Sequence, residues 1–549
     1  MNQTGGSAIA PRDSRWPARI AVAAIPASIG LMIARGAAGP AKPLPSFAAA
    51  PPWPPWFVQL HLAPWGTPLM SWIAVLLGAI GFVAALIALR RGWQPSPKRL
   101  IAGSVIAVLA LMLTLPIATG DPLYYTAYGR IATLGHNPYA AGANQFLSAR
   151  DPVAEAVRQY VPLPPSRYGP VATLTEEAAS AIAGDSPART LFWLKVWNAI
   201  AYLVLVVVLD RLMRPDRMRQ ARAHLMWSLN PLMLFLVMAD GHNDVLAAVL
   251  GTTALFAVRK SAAARTFWAG VLLVLATAVK ASYGLFGAGM AWAVRRSPRA
   301  LCALAAGAAA VLVPTYLLGG RRVVSATTFG LVGGEHTNLL YYEFAHFTGH
   351  GEAVAVTNVI GLLVCGALAL VLLWRLPSGP PDLPGVRVTL ALALALLIAS
   401  PYQQAWYDAM IFPLIAVMAV SRLDWIAAAH TIVLSVISVP YFYPKSHPPW
   451  WTLLERFGSD TLVVVLAPIG AALLWLCWTR DWRQLAPPEN LAEPKVTLPP
   501  ENSANWNPTS APENLPPGTS LAEPKLTVQP ENLAPTKLTV QPENSAEPR

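Results

Sequence analysis

Long apolar windows are the feature of this sequence that most restricts its fold. Examples are Leu69–Leu89, Leu100–Ala118, Thr190–Leu209 and Thr461–Trp478. A hydrocarbon layer is crossed by about 17 to 25 apolar residues, and lipid offers backbone groups no partner, so these windows predict membrane-spanning helices. Only the third window contains a charge, Lys195. That residue is close enough to the window's end for its ammonium to extend toward water.

The composition supports a chain that is embedded in a membrane over most of its length. Hydrophobic residues make up 55% of the sequence and charged residues 12%, against about 25% charged residues in soluble domains. The alternation of apolar runs and short loops predicts an all-α polytopic membrane protein with about 14 membrane segments. The first run, Ile20–Ala34, fits either a short first span or a signal-peptide core, and a retained span is the preferred interpretation.

The net charge of +12 is concentrated in short loops between the apolar runs. Basic clusters occur at Arg90–Arg99, Arg211–Arg222, Arg259–Arg265 and Arg295–Arg299. By the positive-inside rule these loops are cytoplasmic, which predicts a multi-pass protein of the plasma membrane with polar tips on the extracytoplasmic face. This distribution indicates a membrane anchor and argues against nucleic acid as a partner.

The chain divides by composition into two parts. Residues 1–483 form the predicted transmembrane domain, which includes a first large outer loop over residues 120–189. Residues 484–549 are rich in proline and repeat the tripeptide "PEN". A segment with so much proline and so little aromatic content cannot offset its chain entropy, so we predict a disordered cytoplasmic tail.

A polar cluster follows the third apolar run in the stretch "TGDPLYYTAYGRIATLGHNPYAAG". Asp121 lies at the predicted membrane boundary, where a partly dehydrated carboxylate can act as a general base. The alternative is an ordinary Gly-Asp-Pro turn. Tyr125 and its tyrosine neighbours can present rings and hydroxyls to a sugar, and Arg130 can bind a phosphate. An interfacial aromatic belt with an anchoring arginine fits these residues equally well.

Other polar groups interrupt later apolar runs. Asp240, His242 and Asp244 occur in "DGHND", which fits either divalent-metal ligands or a polar turn that caps the next helix. We favour no metal and no cofactor. Lys280 lies between apolar residues, where its ammonium either extends toward water or meets an anion such as a lipid phosphate. His430 is interpreted as a packing residue with a satisfied ring.

Five motifs carry a resemblance to a known family: "GDPLYYTAYGRIATLGHNPYA", "SRYGPVATL", "NPLMLFLVMADGHNDVLAAVLG", "ATAVKASYG" and "SPYQQAWYDAMIFPLIA". In this order, over roughly residues 100–420, the sequence resembles the actinobacterial polyprenol-phosphate-mannose-dependent alpha-(1,6)-mannopyranosyltransferases. These are integral membrane enzymes of the C-type glycosyltransferase fold.

The resemblance implies a polyprenyl-phosphate sugar donor, a glycan or glycolipid acceptor outside the membrane, and inversion at the sugar carbon. It implies that Asp121 is the catalytic base and that Lys280 and Arg130 are candidates to stabilise the phosphate leaving group. Tyr125, His242, Asp244 and Gln403 are then candidate substrate-binding residues.

A polytopic transporter or lipid flippase is the alternative function, since it also holds ionisable groups in its membrane region. Transporters commonly show repeated halves with polar sites near the midplane. Here the polar groups gather on one predicted face and no matching halves are evident, so the enzyme is the preferred interpretation.

Overall fold

A computed structural model describes residues 15–38, 66–117, 119–140, 147, 150–157, 163–259, 261–332, 350–400, 404–441 and 466–482. Within these ranges, side chains are not described for residues 318–322, 324–332, 350–355 and 438–441. The chain divides into two units, Met1–Ala492 and Glu493–Arg549. Every described residue belongs to the first unit. The predicted tail, residues 484–549, and Gln403 lie outside the described residues.

Every regular element of the described residues is helical, which confirms the all-α prediction. The helices are α1 Arg15–Ala37, α2 Gly66–Arg90, α3 Pro97–Met112, α4 Asp121–Thr133, α5 Pro152–Val157, α6 Pro170–Ala183, α7 Pro187–Met213, α8 Arg217–Ala223, α9 Pro231–Met233, α10 Asp244–Ala257, α11 Ala263–Thr277, α12 Phe286–Val294, α13 Pro298–Val332, α14 His350–Arg375, α15 Gly385–Ala399, α16 Phe412–Val417, α17 Leu423–Tyr441 and α18 Leu466–Thr479. Two π-helical segments, His224–Ser228 and Leu234–Ala239, continue α8 and α9, and 3₁₀ turns span Ala281–Leu285 and Ala405–Met410.

Five helical stretches among the described residues are long and apolar enough to cross a membrane. They are Arg15–Ala37, Gly66–Arg90, Pro187–Met213, Pro298–Leu317 and Val356–Arg375. Six shorter apolar helical segments accompany them. These helices support a membrane protein, and the total of about 14 segments stays a prediction.

Apolar side chains cover the outward face of α14. Leu362, Leu363 and Leu370 are 58%, 69% and 70% exposed. In contrast, the helices and π-helical segments around α7 enclose Trp227, which is fully buried and stacks on Tyr202 at 5.0 Å. Exposed leucines around a dense interior are expected where lipid surrounds the protein.

The third predicted span is shorter than the apolar window suggested. Helix α3 ends at Met112, and the chain from Leu113 to Ile117 leaves the helix. Lys195 explains part of this ending, because its Nζ donates to the Thr114 carbonyl at 2.7 Å and to the Ala239 carbonyl at 2.9 Å. The expectation that Lys195 extends toward water is wrong, since the residue is 1% exposed and its ammonium is satisfied by carbonyls at the ends of two helical segments.

The predicted outer loop of residues 120–189 contains α4, α5 and α6. Asp151 caps α5, because its Oδ1 accepts from the Val153 amide at 2.8 Å. Helix α6 packs closely against α4 at Gly129, where a Cβ atom would collide with the backbone carbonyl of Glu176. The loop therefore contributes a compact helical layer that carries Asp121 at one end of α4.

Candidate active site

The backbone that leads into Asp121 is fixed by buried polar side chains. The Ile117 amide donates to Asp240 Oδ1 at 2.8 Å, and Arg35 Nη2 donates to the Ile117 carbonyl at 3.3 Å. With the Lys195 bond to Thr114, these contacts hold residues 114–117 from both sides. Asp121 follows as the first residue of α4, with Gly120 at the N-cap. A carboxylate in this position is favoured by the helix dipole.

The Asp121 carboxyl is partly exposed and has a raised pKa. Its side chain is 28% exposed. Loss of solvation raises the pKa of the Asp121 carboxyl to about 7, although the positive charge of Lys280 acts in the opposite direction. Asp240 and Asp244 raise it further, and Arg167 lowers it. A carboxyl with a pKa close to neutrality is well matched to proton abstraction at physiological pH.

His242 lies between Asp121 and Asp240. Gly241, with φ of +80°, turns the chain so that the imidazole stacks on Trp406 with a centroid distance of 4.0 Å. Nδ1 is 3.6 Å from Asp121 Oδ2, and Nε2 is 3.8 Å from Asp240 Oδ2. Burial, followed by the charge of Lys280, lowers the pKa of His242 well below its usual value. The ring is therefore neutral at physiological pH and orients its neighbours without adding a charge.

Two tyrosine hydroxyls extend this arrangement. Tyr125 Oη is 3.4 Å from His242 Nδ1 and donates to Tyr168 Oη at 3.3 Å. Their rings meet edge to face at 5.1 Å. Burial raises the pKa of both phenols well above the usual value. Both remain neutral hydrogen-bonding groups beside Asp121.

Lys280 and Asp244 form an ion pair next to this group. Lys280 Nζ is 2.5 Å from Asp244 Oδ1 and 3.8 Å from the centroid of the Tyr407 ring. The side chain of Lys280 is 16% exposed and that of Asp244 is 2% exposed. Burial lowers the pKa of Lys280, while Asp244 and Asp121 raise it. The partner of Lys280 in the structure is thus a protein carboxylate, and its contact with a lipid phosphate stays a prediction.

Buried polar atoms without hydrogen-bond partners in the described part of the chain lie next to the ion pair of Lys280 and Asp244. Asp244 Oδ2 and both polar side-chain atoms of Asn243 are buried and have no hydrogen-bond partner among the described residues. Buried polar atoms are normally paired. These unpaired atoms make the surroundings of the ion pair a candidate ligand site.

The motif "SRYGP" explains how Tyr168 and Lys280 come together. Gly169 donates its amide to the Val279 carbonyl at 3.1 Å, and Val171 donates to Ala278 at 2.9 Å. A Cβ atom at Gly169 would collide with the Ala278 backbone. Glycine therefore lets the segment before α6 contact the end of α11, and this contact places the two side chains at one site.

Five of the predicted site residues thus lie in one cluster: Asp121, Tyr125, His242, Asp244 and Lys280. We call these residues, with Asp240 and Asn243, the Asp121 cluster.

Arg130 lies elsewhere. Its Nε donates to Asp151 Oδ2 at 2.9 Å, and the residue occurs nine positions after Asp121, about 13 Å along α4. The structure therefore shows Arg130 tying the end of α4 to α5.

Several residues near the cluster were not singled out as site residues from the sequence. Trp406, Tyr407 and Tyr168 supply aromatic surfaces, and the exposed Arg167 acts on Asp121 through its charge. Trp406 and Tyr168 occurred within the quoted motifs, but only the fold shows that they meet His242 and Tyr125.

Glu176 is a second buried carboxyl in this layer. It is 2% exposed, and neither carboxyl oxygen has a hydrogen-bond partner among the described residues. Burial raises the pKa of Glu176 well above its usual value. Burial therefore favours the protonated, neutral form of this carboxyl.

The described residues contain no group of three His, Cys, Asp or Glu side chains arranged to hold a metal ion. Metal-independent chemistry stays a prediction.

Comparison with known proteins shows that the region containing the cluster is similar to a known family. Residues 30–296 match the family model described as "Alpha-(1->6)-mannopyranosyltransferase, N-terminal domain". The matched region includes every described member of the Asp121 cluster.

Two curated relatives support the match. Alpha-(1->6)-mannopyranosyltransferase A of Mycobacterium tuberculosis is 22% identical over 385 residues, which cover 63% of this chain and 73% of the relative. Alpha-(1->6)-mannopyranosyltransferase B of Corynebacterium glutamicum is 27% identical over 137 residues, which cover 25% of this chain and 23% of that relative. The chain thus spans about a quarter of the second relative and about three quarters of the first. Over residues 30–296 the chain is similar to the alpha-(1->6)-mannopyranosyltransferase family, which confirms the resemblance and supports the class of membrane glycosyltransferase.

Proposed function

We propose that this protein transfers mannose from a polyprenyl-phosphate donor to a glycan or glycolipid acceptor on the extracytoplasmic side of the membrane. The observation that carries the proposal is the Asp121 carboxyl, partly accessible and with a pKa of about 7, in a cluster that also contains unpaired polar groups. The relatives' names supply the sugar. The assignment of the reaction to the extracytoplasmic side rests on the predicted cytoplasmic position of the basic loops.

The reaction is a single displacement with inversion. Ionised Asp121 accepts the proton of an acceptor hydroxyl while the hydroxyl oxygen forms a bond to the anomeric carbon. The bond between that carbon and the phosphate oxygen breaks, and its electron pair leaves with polyprenyl phosphate. Proton removal by a positioned carboxylate contributes about 10²- to 10⁴-fold to such a step.

The leaving phosphate gains negative charge as the bond breaks. Lys280 and Arg167 are the cations whose charges act on Asp121. We assign them to the phosphate, since a cation positioned where charge develops stabilises the transition state. Lys280 retains Asp244 as its partner, so its ammonium would contact both the Asp244 carboxylate and the phosphate.

The sugar hydroxyls are assigned to Asp244 Oδ2 and Asn243, whose polar atoms are unpaired in the described structure. Trp406 and Tyr407 also place aromatic rings beside these groups, and Tyr407 is partly exposed. Aromatic faces beside polar anchors suit a pyranose ring, which has apolar C–H surfaces between its hydroxyls. Gln403 keeps its predicted role in orienting sugar hydroxyls and lies outside the described residues.

The test is Asp121→Asn in the full-length protein, assayed with purified polyprenyl phosphomannose and candidate glycans. The amide keeps the shape of the side chain and removes its basicity. We expect transfer to fall by about 10²- to 10⁴-fold while donor lipid still binds. Transfer at the wild-type rate would refute Asp121 as the base, and movement of lipid without any transfer in the wild type would favour a flippase.

A further inference from the structure

A second polar site lies at the other end of helix α15 from the Asp121 cluster. It is a cavity of about 510 Å³ lined by the end of α14, the loop that follows, the start of α15 and the residues after α18. Helix α15 ends seven residues before Trp406, which stacks on His242. Its 15 residues span about 22 Å, so the cavity is remote from the proposed chemistry.

Three arginines line this cavity: Arg375, Arg387 and Arg480. We call it the arginine cavity. The Arg387 guanidinium already has hydrogen-bond partners within the protein, because its Nε and Nη2 donate to the Leu376 and Leu373 carbonyls at 3.0 and 2.6 Å. Arg375 and Arg480 lie over Trp374, at 3.6 and 5.9 Å from the ring centroid. No acidic side chain within the described part of the chain forms an ion pair with either of these two residues.

The backbone at Arg480 is held in an unfavourable conformation. Its φ is 55°, and it is the one non-glycine residue with positive φ in the described ranges. Such a conformation costs energy for an L-residue and persists only where neighbours enforce it. Here Asp481 pairs with Arg422 at 2.6 Å, and Trp482 Nε1 donates to the Arg375 carbonyl at 2.7 Å. These contacts fix a strained turn that brings Arg480 beside Arg375.

The rim of the cavity faces the surface where lipid is expected. Trp374 at the end of α14 is 66% exposed, and Trp478 at the end of α18 is 79% exposed. Along the same helices, Leu370 and Leu474 are 70% and 48% exposed. Tryptophan is enriched at membrane interfaces, where its ring lies at headgroup level. The cavity therefore combines guanidinium donors with an adjoining apolar surface.

We propose that the arginine cavity binds the headgroup phosphate of an anionic phospholipid, whose acyl chains lie along α14 and α18. Unpaired guanidinium groups bind phosphate oxygens through paired donors. Basic pockets between transmembrane helices are suited to anionic headgroups. A free phosphate would use the same donors but would gain nothing from the apolar flank, so the lipid is the occupant that the surface favours. The proposal does not depend on the transferase reaction.

The test is native mass spectrometry of the delipidated full-length protein titrated with phosphatidylglycerol or phosphatidylcholine. The variant Arg375→Gln/Arg480→Gln removes the two guanidinium groups that form no ion pair within the described part of the chain. Its control, Arg295→Gln/Arg296→Gln, removes the same charge from exposed residues and includes an equivalent stack of Arg295 on Trp292 at 3.8 Å. We expect phosphatidylglycerol to bind the wild type and the control alike, and the dissociation constant to rise by at least about tenfold in the cavity variant. Equal affinity in all three proteins would overturn the proposal.

Two further measurements keep the result decisive if the cavity variant folds poorly. Photoactivatable phosphatidylglycerol should label wild-type peptides that contain residues 374–387 or 480–482, and labelling confined to other regions would contradict the site. Inorganic phosphate should fail to displace the bound lipid at concentrations that exceed the lipid many times over. Efficient displacement would identify a site for free phosphate and overturn the assignment to a phospholipid.

Discussion

The Asp121 cluster and the network around Arg222 contain similar chemical groups but differ in how completely those groups are paired. Arg222 was counted from the sequence among cytoplasmic anchors, yet it is 4% exposed. Its guanidinium pairs with Asp424 at 2.6 Å and donates to the carbonyls of Ile415, Ala416 and Met418. In the Asp121 cluster, Asp244 Oδ2 and the Asn243 amide have no partner within the described ranges. A saturated buried network stabilises a fold, whereas the unpaired groups of the Asp121 cluster are the ones that the proposed function assigns to the sugar.

The largest expected effect is on stability, at the saturated network. Asp424→Ala leaves the buried Arg222 guanidinium without its carboxylate, which we expect to reduce the free energy of unfolding by about 3–5 kcal/mol. The control is Asp481→Ala, which breaks the exposed pair with Arg422 and should cost about 0–1 kcal/mol. Thermal unfolding in detergent measures both. Similar losses in the two variants would remove the distinction between buried and exposed pairs.

The second largest expected effect is on the transferase activity, at the Asp121 cluster. Asp244→Asn replaces the ionic contact to Lys280 by a neutral one, and we expect kcat/KM for mannosyl transfer to fall by about 10- to 100-fold. Arg130→Gln is the matched control, because it breaks the ion pair with Asp151 outside the cluster. Its kcat/KM should stay near the wild-type value. A larger loss of activity in Arg130→Gln than in Asp244→Asn would return Arg130 to the phosphate site.

Asn243→Ala tests the unpaired groups themselves. The amide makes no hydrogen bond within the described structure, so its removal should leave stability almost unchanged. If it binds a sugar hydroxyl, the KM for the donor should rise by about tenfold. An unchanged KM together with a lower melting temperature would show that Asn243 is a structural residue.

Metal chelation should have the smallest effect. We expect transfer to proceed at an unchanged rate after treatment with EDTA, because the proposed leaving-group stabilisation uses Lys280 and Arg167. Loss of activity that added Mg²⁺ or Mn²⁺ restores would show that a metal ion takes part.

The sequence was sufficient to predict the helical class and much of the Asp121 cluster. Asp121 and the segment Asp240–Asp244 could be found because polar groups interrupt apolar runs there, where burial of ionisable groups requires a reason. The contacts that complete the cluster could not be predicted in the same way. Tyr168 and Trp406 are far apart in the chain, and their meeting with Tyr125 and His242 depends on tertiary packing.

Individual charges were harder to interpret than the overall pattern. Hydropathy shows that Lys195 is costly in an apolar window, but it does not show whether the ammonium reaches water or backbone carbonyls. The structure supplies carbonyls at Thr114 and Ala239. Arg130 illustrates the opposite case, since Asp151 lies close enough in sequence to be a plausible partner, but only the helix packing determines that they pair.

The most direct test of the central claim is the pH dependence of kcat/KM in the wild type and in Asp121→Asn. Because the base must be ionised, and its pKa is raised to about 7, kcat/KM should rise with pH and reach a plateau above about pH 7. Below that value it should fall by about tenfold per pH unit as Asp121 becomes protonated. The residual activity of Asp121→Asn should lack this transition. An identical transition in the variant, with transfer near the wild-type rate, would contradict the assignment of Asp121 as the general base.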